Sequence, residues 1–450
     1  MKFKTQRIYQ QGVEAFRAGR LELAEACFFE VLRDEPALEP AILCLGVVLA
    51  RTGRLTGAVA VYENGLKMLP QSAEIHYNLG LARQQLEELV VAIEHYETAI
   101  CLRPDHVNAW NNLALAYMTS KNSQGVFRCY SELSKLHTCD SQFCMRNLLE
   151  VSLELLRHGE WTSYAWQGYE CRWHCGLPLY IKPSTPFPEW DGANMAGKRL
   201  LLWYEQGNGD NIMMFRYAIW LSSRGVDVTV LAPSRLTPLF RRCHEDLKII
   251  EEIDPVVPYD AHRSMMGLLQ ALQVSPNSIL QSPAYLFPRM EPRPPAMKVD
   301  KLQVGLVWAG NSGFPNDHNR SLPHFRILSP LLELPGCQFH SLYIGSRMDE
   351  LEGFAIGNPV VDFQDFDDTA AYIQHIDLVI SVDTAVAHLA GALGKPVWVL
   401  LPNPAEWRWY PYGEATPWYP SARLFVQKSP GDWGEVIDRV AIALRGLLSS

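Results

Sequence analysis

Three prolines divide the first third of this 450-residue chain into units of equal length. Pro36, Pro70 and Pro104 follow one another at intervals of 34 residues. Three more series keep the same interval and consist of small or aromatic residues: Gly12, Gly46, Gly80 and Ala114; Ala24, Ala58 and Ala92; Phe28, Tyr62, Tyr96 and Tyr130. A fixed period of this length indicates stacked supersecondary units, each of which buries its apolar face against its neighbours.

The spacing within one period predicts two helices joined by a turn. Glycine and alanine let the helices approach closely, and the aromatic residue lies four positions after the alanine, on the same helical face. Proline ends the second helix because it cannot continue one without strain. The pattern resembles the tetratricopeptide repeat over about residues 5–138. This resemblance implies a helical solenoid that binds a protein or peptide, although a spacer or a dimerisation surface would leave the same pattern.

The composition is that of a globular chain and favours neither a nucleic acid nor a membrane as its partner. Hydrophobic residues make up 48% of the sequence and charged residues 20%, which excludes a disordered chain. The formal net charge is −9, and the sequence shows no basic patch that would neutralise nucleic-acid phosphates. We find neither a signal sequence nor an apolar run that approaches the roughly 18 residues of a membrane span. We therefore expect a cytoplasmic protein with reduced cysteines.

The hydrophobic pattern changes near residue 198, from helical spacing to an alternation of strands and helices. A short apolar run, a helix and a second apolar run follow one another up to residue 231, which predicts parallel strands joined by a helix. After a second proline-rich segment the alternation restarts. There it includes a segment over 322–332 that is mostly helix, a short strand over 360–363 and a helix capped by Asp367 or Asp368.

The predicted domain boundaries follow this change of pattern and the proline-rich segments. The expected architecture is an α solenoid followed by two Rossmann-like α/β halves, whose ligands bind at the carboxyl ends of the strands. The predicted parts are repeats at 1–139, capping helices and a linker at 140–196, a first half at 197–298 and a second half at 299–450.

A loop with two glycines opens the first helix of the α/β part. It follows the first predicted strand and has the sequence Glu205-Gln206-Gly207-Asn208-Gly209-Asp210. The glycines permit a tight turn and a close approach of a ligand to the backbone. Asp210 either caps the helix and does nothing more, or projects into a cleft as a general base. The loop does not match the GxGxxG fingerprint of dinucleotide-binding proteins.

A second candidate site combines a carboxylate, a hydroxyl and an imidazole at the junction of a strand and a helix. Asp383 ends the strand, Thr384 is a good N-cap residue, and His388 lies one turn inside the helix. The free amide groups at the start of this helix would bind a diphosphate without a metal. An ordinary turn with a core histidine is the alternative, and the combination of the three residue types favours a functional site.

Two cations are further candidates for binding a phosphate. The loop after the first strand of the second half contains Asn311 and Arg320, and a guanidinium can hold a phosphate with two hydrogen bonds. Lys395 follows a glycine that closes the candidate anion-binding helix. Either cation could instead be ordinary surface charge.

The segment from Trp407 to Tyr412 is rich in aromatic residues and follows another predicted strand. Its rings could stack on a base or a sugar, or could belong to the core or to a domain interface. Asp365-Phe366-Asp367 formally matches a metal-binding DxD motif but is explained more simply as a helix cap. The sequence therefore predicts no metal site.

Four ordered motifs carry a second resemblance, which covers about residues 198–430. They are Glu205-Gln-Gly-x-Gly-Asp210, Gly305-Leu-Val-Trp-Ala-Gly-Asn311, Asn319-Arg-Ser321 and Val382-Asp-Thr-Ala-Val-Ala-His388 with Gly394-Lys-Pro396. The chain resembles bacterial tetratricopeptide proteins fused to a domain of glycosyltransferase family nine, the heptosyltransferases. The resemblance implies a GT-B fold and transfer of a sugar from a nucleotide-activated donor with inversion.

The resemblance also suggests roles for individual residues. It maps the catalytic base onto Asp210 and the element that binds the nucleotide diphosphate onto Asp383, Thr384 and His388. The other residues expected to bind the nucleotide sugar are Gly207, Gly209, Asn311, Arg320 and Lys395, and the residues expected to contact the acceptor are Glu205, Gln206, Trp407 and Trp409. Neither a metal nor another cofactor is expected, because the helix N-terminus and the cations would stabilise the departing diphosphate.

The sequence thus predicts an inverting, metal-independent glycosyltransferase whose repeats recruit a protein acceptor. Flagellin or another surface protein modified in the cytosol is the acceptor we hypothesise. One alternative is an enzyme like the O-linked N-acetylglucosamine transferase, which also joins these repeats to a GT-B domain, but we find none of its characteristic catalytic histidine motifs. Another is a repeat scaffold whose transferase domain has decayed, against which the retained Asp210, Asp383 and His388 argue.

Overall fold

The computed structural model divides the chain into two compact units, Met1–Ser152 and Leu153–Ser450. The residues that it describes are 3–136, 141–176, 182–292, 294, 296–314, 316–409 and 413–449. Among them, no helix combines the length and the apolar character needed to cross a bilayer.

Helices that pair two by two build the first unit. They are α1 (Phe3–Arg17), α2 (Leu21–Asp34), α3 (Glu39–Arg51), α4 (Leu55–Met68), α5 (Ala73–Gln85), α6 (Leu89–Leu102), α7 (Val107–Thr119) and α8 (Ser123–Leu133), followed by α9 (Ser141–Arg157), which continues into the second unit. The turn inside each of the four pairs contains one residue in the left-handed region, and these residues recur at the repeat interval: Gly19, Gly53, Glu87 and Lys121. The predicted helical repeats are therefore confirmed.

The small residues of the repeat allow the two helices of a pair to touch. A Cβ atom at Gly46 would lie 2.2 Å from Cζ of Tyr62, and one at Gly80 would lie 2.7 Å from Cε1 of Tyr96. Both tyrosine rings are buried, at 2% and 0% exposure. The ring of one helix thus fills the space that the missing side chain of the other leaves, as the equal spacing of the two series predicts.

Parallel strands and the helices that connect them form the second unit. The strands are β1 (Arg199–Trp203), β2 (Asp227–Leu231), β3 (Lys248–Ile250), β4 (Ala261–Ser264), β5 (Leu302–Val307), β6 (Cys337–Ser341), β7 (Leu378–Val382), β8 (Val397–Leu401) and β9 (Ala422–Val426). The helices are α10 (Ser163–Glu170), α11 (Asn208–Ser222), α12 (Thr237–Cys243), α13 (Leu268–Ala271), α14 (Asp317–Arg320), α15 (Ser329–Leu332), α16 (Phe366–Ile373), α17 (Ala385–Ala392) and α18 (Trp433–Ser449). Short 3-10 helices occur at Cys171–His174, Pro276–Ser278, Phe325–Leu328, Met348–Leu351 and Pro359–Asp362.

The strands form two sheets in which all neighbouring strands are parallel. The first sheet has the order β3-β2-β1-β4 and the second the order β6-β5-β7-β8-β9. The chain therefore changes its direction of travel across the sheet beside β1 in the first sheet and beside β5 in the second. In open parallel sheets such reversal points leave a crevice at the carboxyl ends of the strands. The two Rossmann-like halves predicted from the sequence are present.

Two local predictions for the second half are wrong, and the backbone explains each. The predicted strand at 360–363 is a 3-10 helix, because Pro359 lies at its start, where a fixed φ favours a helical turn. The segment at 322–332 is mostly helical, as predicted, and consists of a 3-10 turn followed directly by the short α15, which begins at Ser329. The cap of α16 is Asp365, whose Oδ1 accepts hydrogen bonds from the amide groups of Asp367 and Asp368.

Candidate active site

A cleft of about 1660 Å³ opens at the carboxyl ends of the two sheets. Its walls include the loops that follow β1, β5 and β7, which are the strands at the two reversal points. Ten of the predicted site residues line it: Glu205, Gln206, Gly207, Gly209, Asp210, Asn311, Arg320, Asp383, Thr384 and His388. The fold therefore brings the glycine loop of the first half and the acid–hydroxyl–imidazole element of the second half into one crevice.

The N-terminal turns of α11 and α17 contact each other across this cleft. A Cβ atom at Gly209 would lie 2.7 Å from Cδ2 of His388 and 3.3 Å from Cα of Ala385. Only glycine permits this approach. Each helix presents the positive end of its dipole at the same place, which favours the binding of an anion between them.

The carboxylate of Asp210 caps α11 and also faces the cleft. Its Oδ2 accepts a hydrogen bond from the amide group of Gly207 at 3.2 Å, which satisfies one of the free donors of the helix. Its Oδ1 accepts a hydrogen bond from Nε of Arg408. Asp210 is therefore a helix cap in this structure, and an acceptor hydroxyl would share its carboxylate with these two donors.

Arg408 is a cleft residue that the sequence analysis missed. It comes from the loop after β8, and its guanidinium also donates to Oε1 of Gln206 and, at 3.1 Å, to Oε2 of Glu406. The guanidinium lies 5.0 Å from the centre of the Trp407 ring. Its place in the sequence indicates this role, since an arginine between two tryptophans at the carboxyl end of a strand is placed to reach a cleft.

Gln206 has a backbone conformation that few residues other than glycine adopt. Its φ is +59°, in the left-handed region, and such strain is concentrated at functional sites. The side-chain amide is held at both ends: Nε2 donates to the hydroxyl of Tyr169 at 2.7 Å, and Oε1 accepts from Arg408. Gln206 thus orients Arg408 toward the first half.

The carboxylate of Glu205 is bound inside the protein, although the residue contributes to the cleft wall. Its two oxygens accept hydrogen bonds from Nε and Nη2 of Arg172, each at 2.9 Å. The side chains of this pair are 4% and 0% exposed, respectively. The predicted contact of Glu205 with an acceptor remains a prediction, and this ion pair would have to open to allow it.

Asp383 and His388 belong to a buried network at the base of the cleft. Oδ1 of Asp383 accepts a hydrogen bond from Nε1 of Trp409 at 2.7 Å, and burial raises the pKa of this carboxyl. The ring of His388 stacks on that of Trp409 with centroids 4.4 Å apart, and its Nδ1 lies 3.0 Å from the hydroxyl oxygen of Tyr419. Burial lowers the pKa of His388 to about 3, so the imidazole is neutral at physiological pH.

The N-terminus of α17 is not capped by its own side chain. Thr384 occupies the N-cap position, but its hydroxyl lies 2.9 Å from the hydroxyl of Ser381 and not against the amide groups of the helix. Thr384, Ala385 and Val386 line the cleft. Since the first amide groups of a helix have no partner within it, they are available to an anion bound there.

Arg320 and Asn311 also line the cleft, in the segment that follows β5. The guanidinium of Arg320 donates from Nε to Oδ1 of Asp317 at 3.0 Å and lies 4.6 Å from the centre of the Phe314 ring. Oδ1 of Asn311 accepts from the amide group of Gly313 at 3.0 Å and thereby shapes the loop. Arg320 contributes positive charge to the cleft, in keeping with its predicted place.

Three predicted contacts do not fit the structure. Lys395 lies outside the cleft, because it precedes β8 at the amino edge of the sheet, and its Nζ donates to the carbonyl oxygens of Gln374 and Ile376. Trp407 and Trp409 are both fully buried, so their faces cannot stack on a base or a sugar. The rest of that aromatic segment, 410–412, lies outside the described residues.

No group of three or more His, Cys, Asp and Glu side chains is arranged to hold a metal ion in the part of the chain that the structure describes. Asp365, the first acid of the DxD motif, is instead the cap of α16.

Three family models match the chain. Residues 46–87 and 77–125 match models described as a TPR repeat and as a tetratricopeptide repeat. Residues 364–420 match the model described as glycosyltransferase family 9 (heptosyltransferase). This last segment extends from the cap of α16 through α17 to the loop before β9 and contains Asp383, Thr384, His388 and Arg408.

A curated relative is the protein FlbA of Caulobacter vibrioides, which is 30% identical over 334 residues. The match covers 67% of this chain and 54% of the relative, so the chain spans about half the length of that protein. Among solved structures, the crystal structure of MamA protein is 20% identical, with 41% of this chain and 100% of that chain covered and a TM-score of 0.34. The first TPR domain of human RPAP3 is also 20% identical, with 26% and 96% covered and a TM-score of 0.25.

Proposed function

We propose how the second unit of this chain acts, given that the chain matches tetratricopeptide-repeat models in its first unit and the glycosyltransferase family 9 model over residues 364–420. The unit transfers a sugar from a nucleotide-sugar donor to an acceptor hydroxyl, with inversion and without a metal, on a GT-B scaffold. One observation carries the proposal: the cleft joins the Asp210 carboxylate of the first half to the open N-terminus of α17 in the second half. A proton acceptor and an anion site are the two parts that such a transfer needs.

The donor phosphates would occupy the region where α11 and α17 meet. The amide groups at Thr384 and Ala385 and the guanidinium of Arg320 surround it. Negative charge develops on the diphosphate as its bond to the anomeric carbon breaks, and oriented amide dipoles and fixed cations stabilise that charge. These groups belong to the chain itself, so the proposal needs no metal ion.

Asp210 would remove the proton from the acceptor hydroxyl. The oxygen then forms a bond to the anomeric carbon from the side opposite the leaving phosphate, which inverts the configuration. The proton remains on the Asp210 carboxyl, and the electron pair of the broken bond leaves with the nucleotide. A positioned general base contributes about 10²- to 10⁴-fold to such a step.

The repeats would recruit a protein acceptor. A tethered substrate reacts at a raised effective concentration, so modest affinity for one flexible segment is enough. Flagellin or another surface protein remains the class of acceptor that we hypothesise, and the cytosol the place of reaction.

The first experiment measures thermal unfolding of the full chain with ADP-, GDP-, UDP- and CMP-sugars. We expect one nucleotide class to raise the melting temperature, because a ligand that binds only the folded state stabilises it. Transfer is then followed as a mass increase of an acceptor protein. No stabilisation by any member of this panel would contradict the proposal.

One observation favours the alternative of a non-catalytic scaffold: both carboxylate oxygens of Asp210 already accept hydrogen bonds within the protein. Asp210→Asn separates the two functions. An enzyme loses transfer by at least about 10²-fold and still binds its nucleotide, whereas a scaffold retains its effect in the cell. Conversely, a D210N protein with full transfer activity would rule out Asp210 as the base.

A further inference from the structure

We propose that Arg408 is a ligand of the donor phosphate. It pairs with Asp210 until a donor binds, so that donor binding frees the base. This inference rests on the proposed function and adds an order to it, with the donor binding before the acceptor is activated. It gives the guanidinium of Arg408, which pairs with Asp210 across the two halves, a second partner in the donor phosphate.

Both carboxylate oxygens of Asp210 are already hydrogen-bonded in the structure. Arg408 Nε donates to Oδ1, and the amide group of Gly207 donates to Oδ2. Each oxygen can accept a second hydrogen bond, so a substrate hydroxyl would share Asp210 with these two donors. The bond from Gly207 is fixed in the helix cap, whereas the Arg408 side chain can turn to a donor phosphate that replaces the carboxylate as its partner.

Arg408 lies where a donor bound in the cleft can reach it. Its side chain lines the cleft and is 17% exposed, so a ligand in the cleft can reach it. It extends from the second half, the half that also contributes the N-terminus of α17. Guanidinium groups bind phosphate with two parallel hydrogen bonds, and a phosphate carries more negative charge than a carboxylate. A donor bound at α17 therefore competes with Asp210 for the same cation.

Two acids share the guanidinium of Arg408. Asp210 and Glu406 both pair with it, and the side-chain oxygen of Gln206 accepts from it as well. The protein thus satisfies this cation with its own groups. Each of these contacts lowers the apparent affinity for the donor, because the binding-competent position of Arg408 is only partly populated.

A linkage follows that a purely structural ion pair would not produce. If the donor must withdraw Arg408 from Asp210, removing the charge of Asp210 makes the withdrawal easier. Asp210→Asn should therefore bind the nucleotide more tightly than the wild type. A pair that only joins the two halves predicts equal or weaker binding when either partner is changed.

The test is a double-mutant cycle in the full chain, with calorimetric titration of whichever of ADP, GDP, UDP and CMP binds the wild type most tightly. We expect D210N to tighten binding about fivefold or more, which is the usual size of a coupling between sites. Arg408→Gln should weaken binding about tenfold, and D210N in the R408Q background should no longer tighten it. Arg408→Lys should recover part of the loss, because lysine keeps the charge without the fork of donors.

Two controls accompany the cycle. Arg423→Gln removes a cation from the exposed pair with Glu414, outside the cleft, and should leave the nucleotide affinity unchanged. Thermal unfolding of each variant shows that it is folded. If D210N does not fold, Glu406→Gln removes the other carboxylate from Arg408 and should tighten binding in the same direction.

The outcomes distinguish this inference from the function on which it rests. Nucleotide binding by the wild type without tightening in D210N or E406Q would overturn the inference and leave the transferase proposal standing. Absence of binding by the wild type to all four nucleotides would overturn both.

Discussion

The backbone of Gly209 lies against the ring of His388, so closely that a Cβ atom on Gly209 would be 2.7 Å from Cδ2 of that ring. Observed Cβ atoms do not approach other atoms to this distance. The first turn of α11 and the first turn of α17 therefore fit together only because position 209 has no side chain, and the width of the cleft is set at this contact.

Gly209→Ala should push the two helices apart. The His388 ring has little room to move because it is stacked on Trp409, so we expect a loss of about 1–3 kcal/mol in the unfolding free energy of the second unit. Gly434→Ala is the matched control: it also lies in the first turn of a helix, and its Cβ would meet no atom closer than 3.7 Å. Denaturant unfolding of both variants checks this. Equal stability would show that the contact relaxes freely.

A similar substitution tests the packing of the repeats. Gly46→Ala places a Cβ atom 2.2 Å from Cζ of the buried Tyr62, and we expect it to destabilise the first unit by about 1–3 kcal/mol. Gly57→Ala, in the helix paired with α3, meets nothing closer than 3.7 Å and should stabilise the helix by about 0.5–1 kcal/mol. Far-ultraviolet circular dichroism during chemical unfolding measures both, and a neutral Gly46→Ala would contradict the packing described.

The buried pair of Arg172 and Glu205 should behave unlike an exposed one. Glu205→Gln removes the buried counter-charge of the fully buried Arg172 guanidinium and leaves Glu170 as its remaining acid partner. Breaking a buried ion pair typically costs about 3–5 kcal/mol, and we expect a loss near the lower end of that range. Glu414→Gln breaks the exposed pair with Arg423 and should cost at most about 1 kcal/mol. Replacing both members of the buried pair, as Arg172→Met with Glu205→Leu, should recover much of the loss because neither member is then charged. Urea unfolding compares the three variants; equal losses for E205Q and E414Q would be the contrary result.

The neutral His388 gives the second unit a pH dependence of defined sign. Its pKa is about 3 in the folded chain, against about 6.5 in an unfolded one, so between these values the unfolded state binds the additional proton. The unfolding free energy that depends on His388 is therefore highest above pH 6.5 and falls as the pH falls toward 3. The slope of stability against pH in this range should be smaller in His388→Gln than in the wild type.

The architecture was predictable because it depends on local spacing. The interval of the repeat and the alternation of strands with helices are visible in neighbouring residues, and the position of the crevice follows from the direction of parallel strands. The same rule should have excluded Lys395, since a residue that precedes a strand lies at the amino edge of the sheet. The proposed domain boundaries remain predictions.

Arg408 and Trp409 show what the sequence could not supply. The partners of Arg408 are Asp210 and Gln206, which are far away in the chain and meet it only through the packing of the two halves. The burial of Trp409 likewise depends on its stacking with His388 and its bond to Asp383. An aromatic residue gives the same sequence signal whether it faces a ligand or the core.

The meeting of two helix N-termini has a consequence for any cell in which this chain acts. Under the proposed function, small inorganic anions would be attracted to the same place as the donor phosphates, so free phosphate would compete with the donor for the cleft. Occupancy by the sugar nucleotide would then depend on the concentration of phosphate as well as on its own, which would tie the output of the chain to the phosphate status of its surroundings.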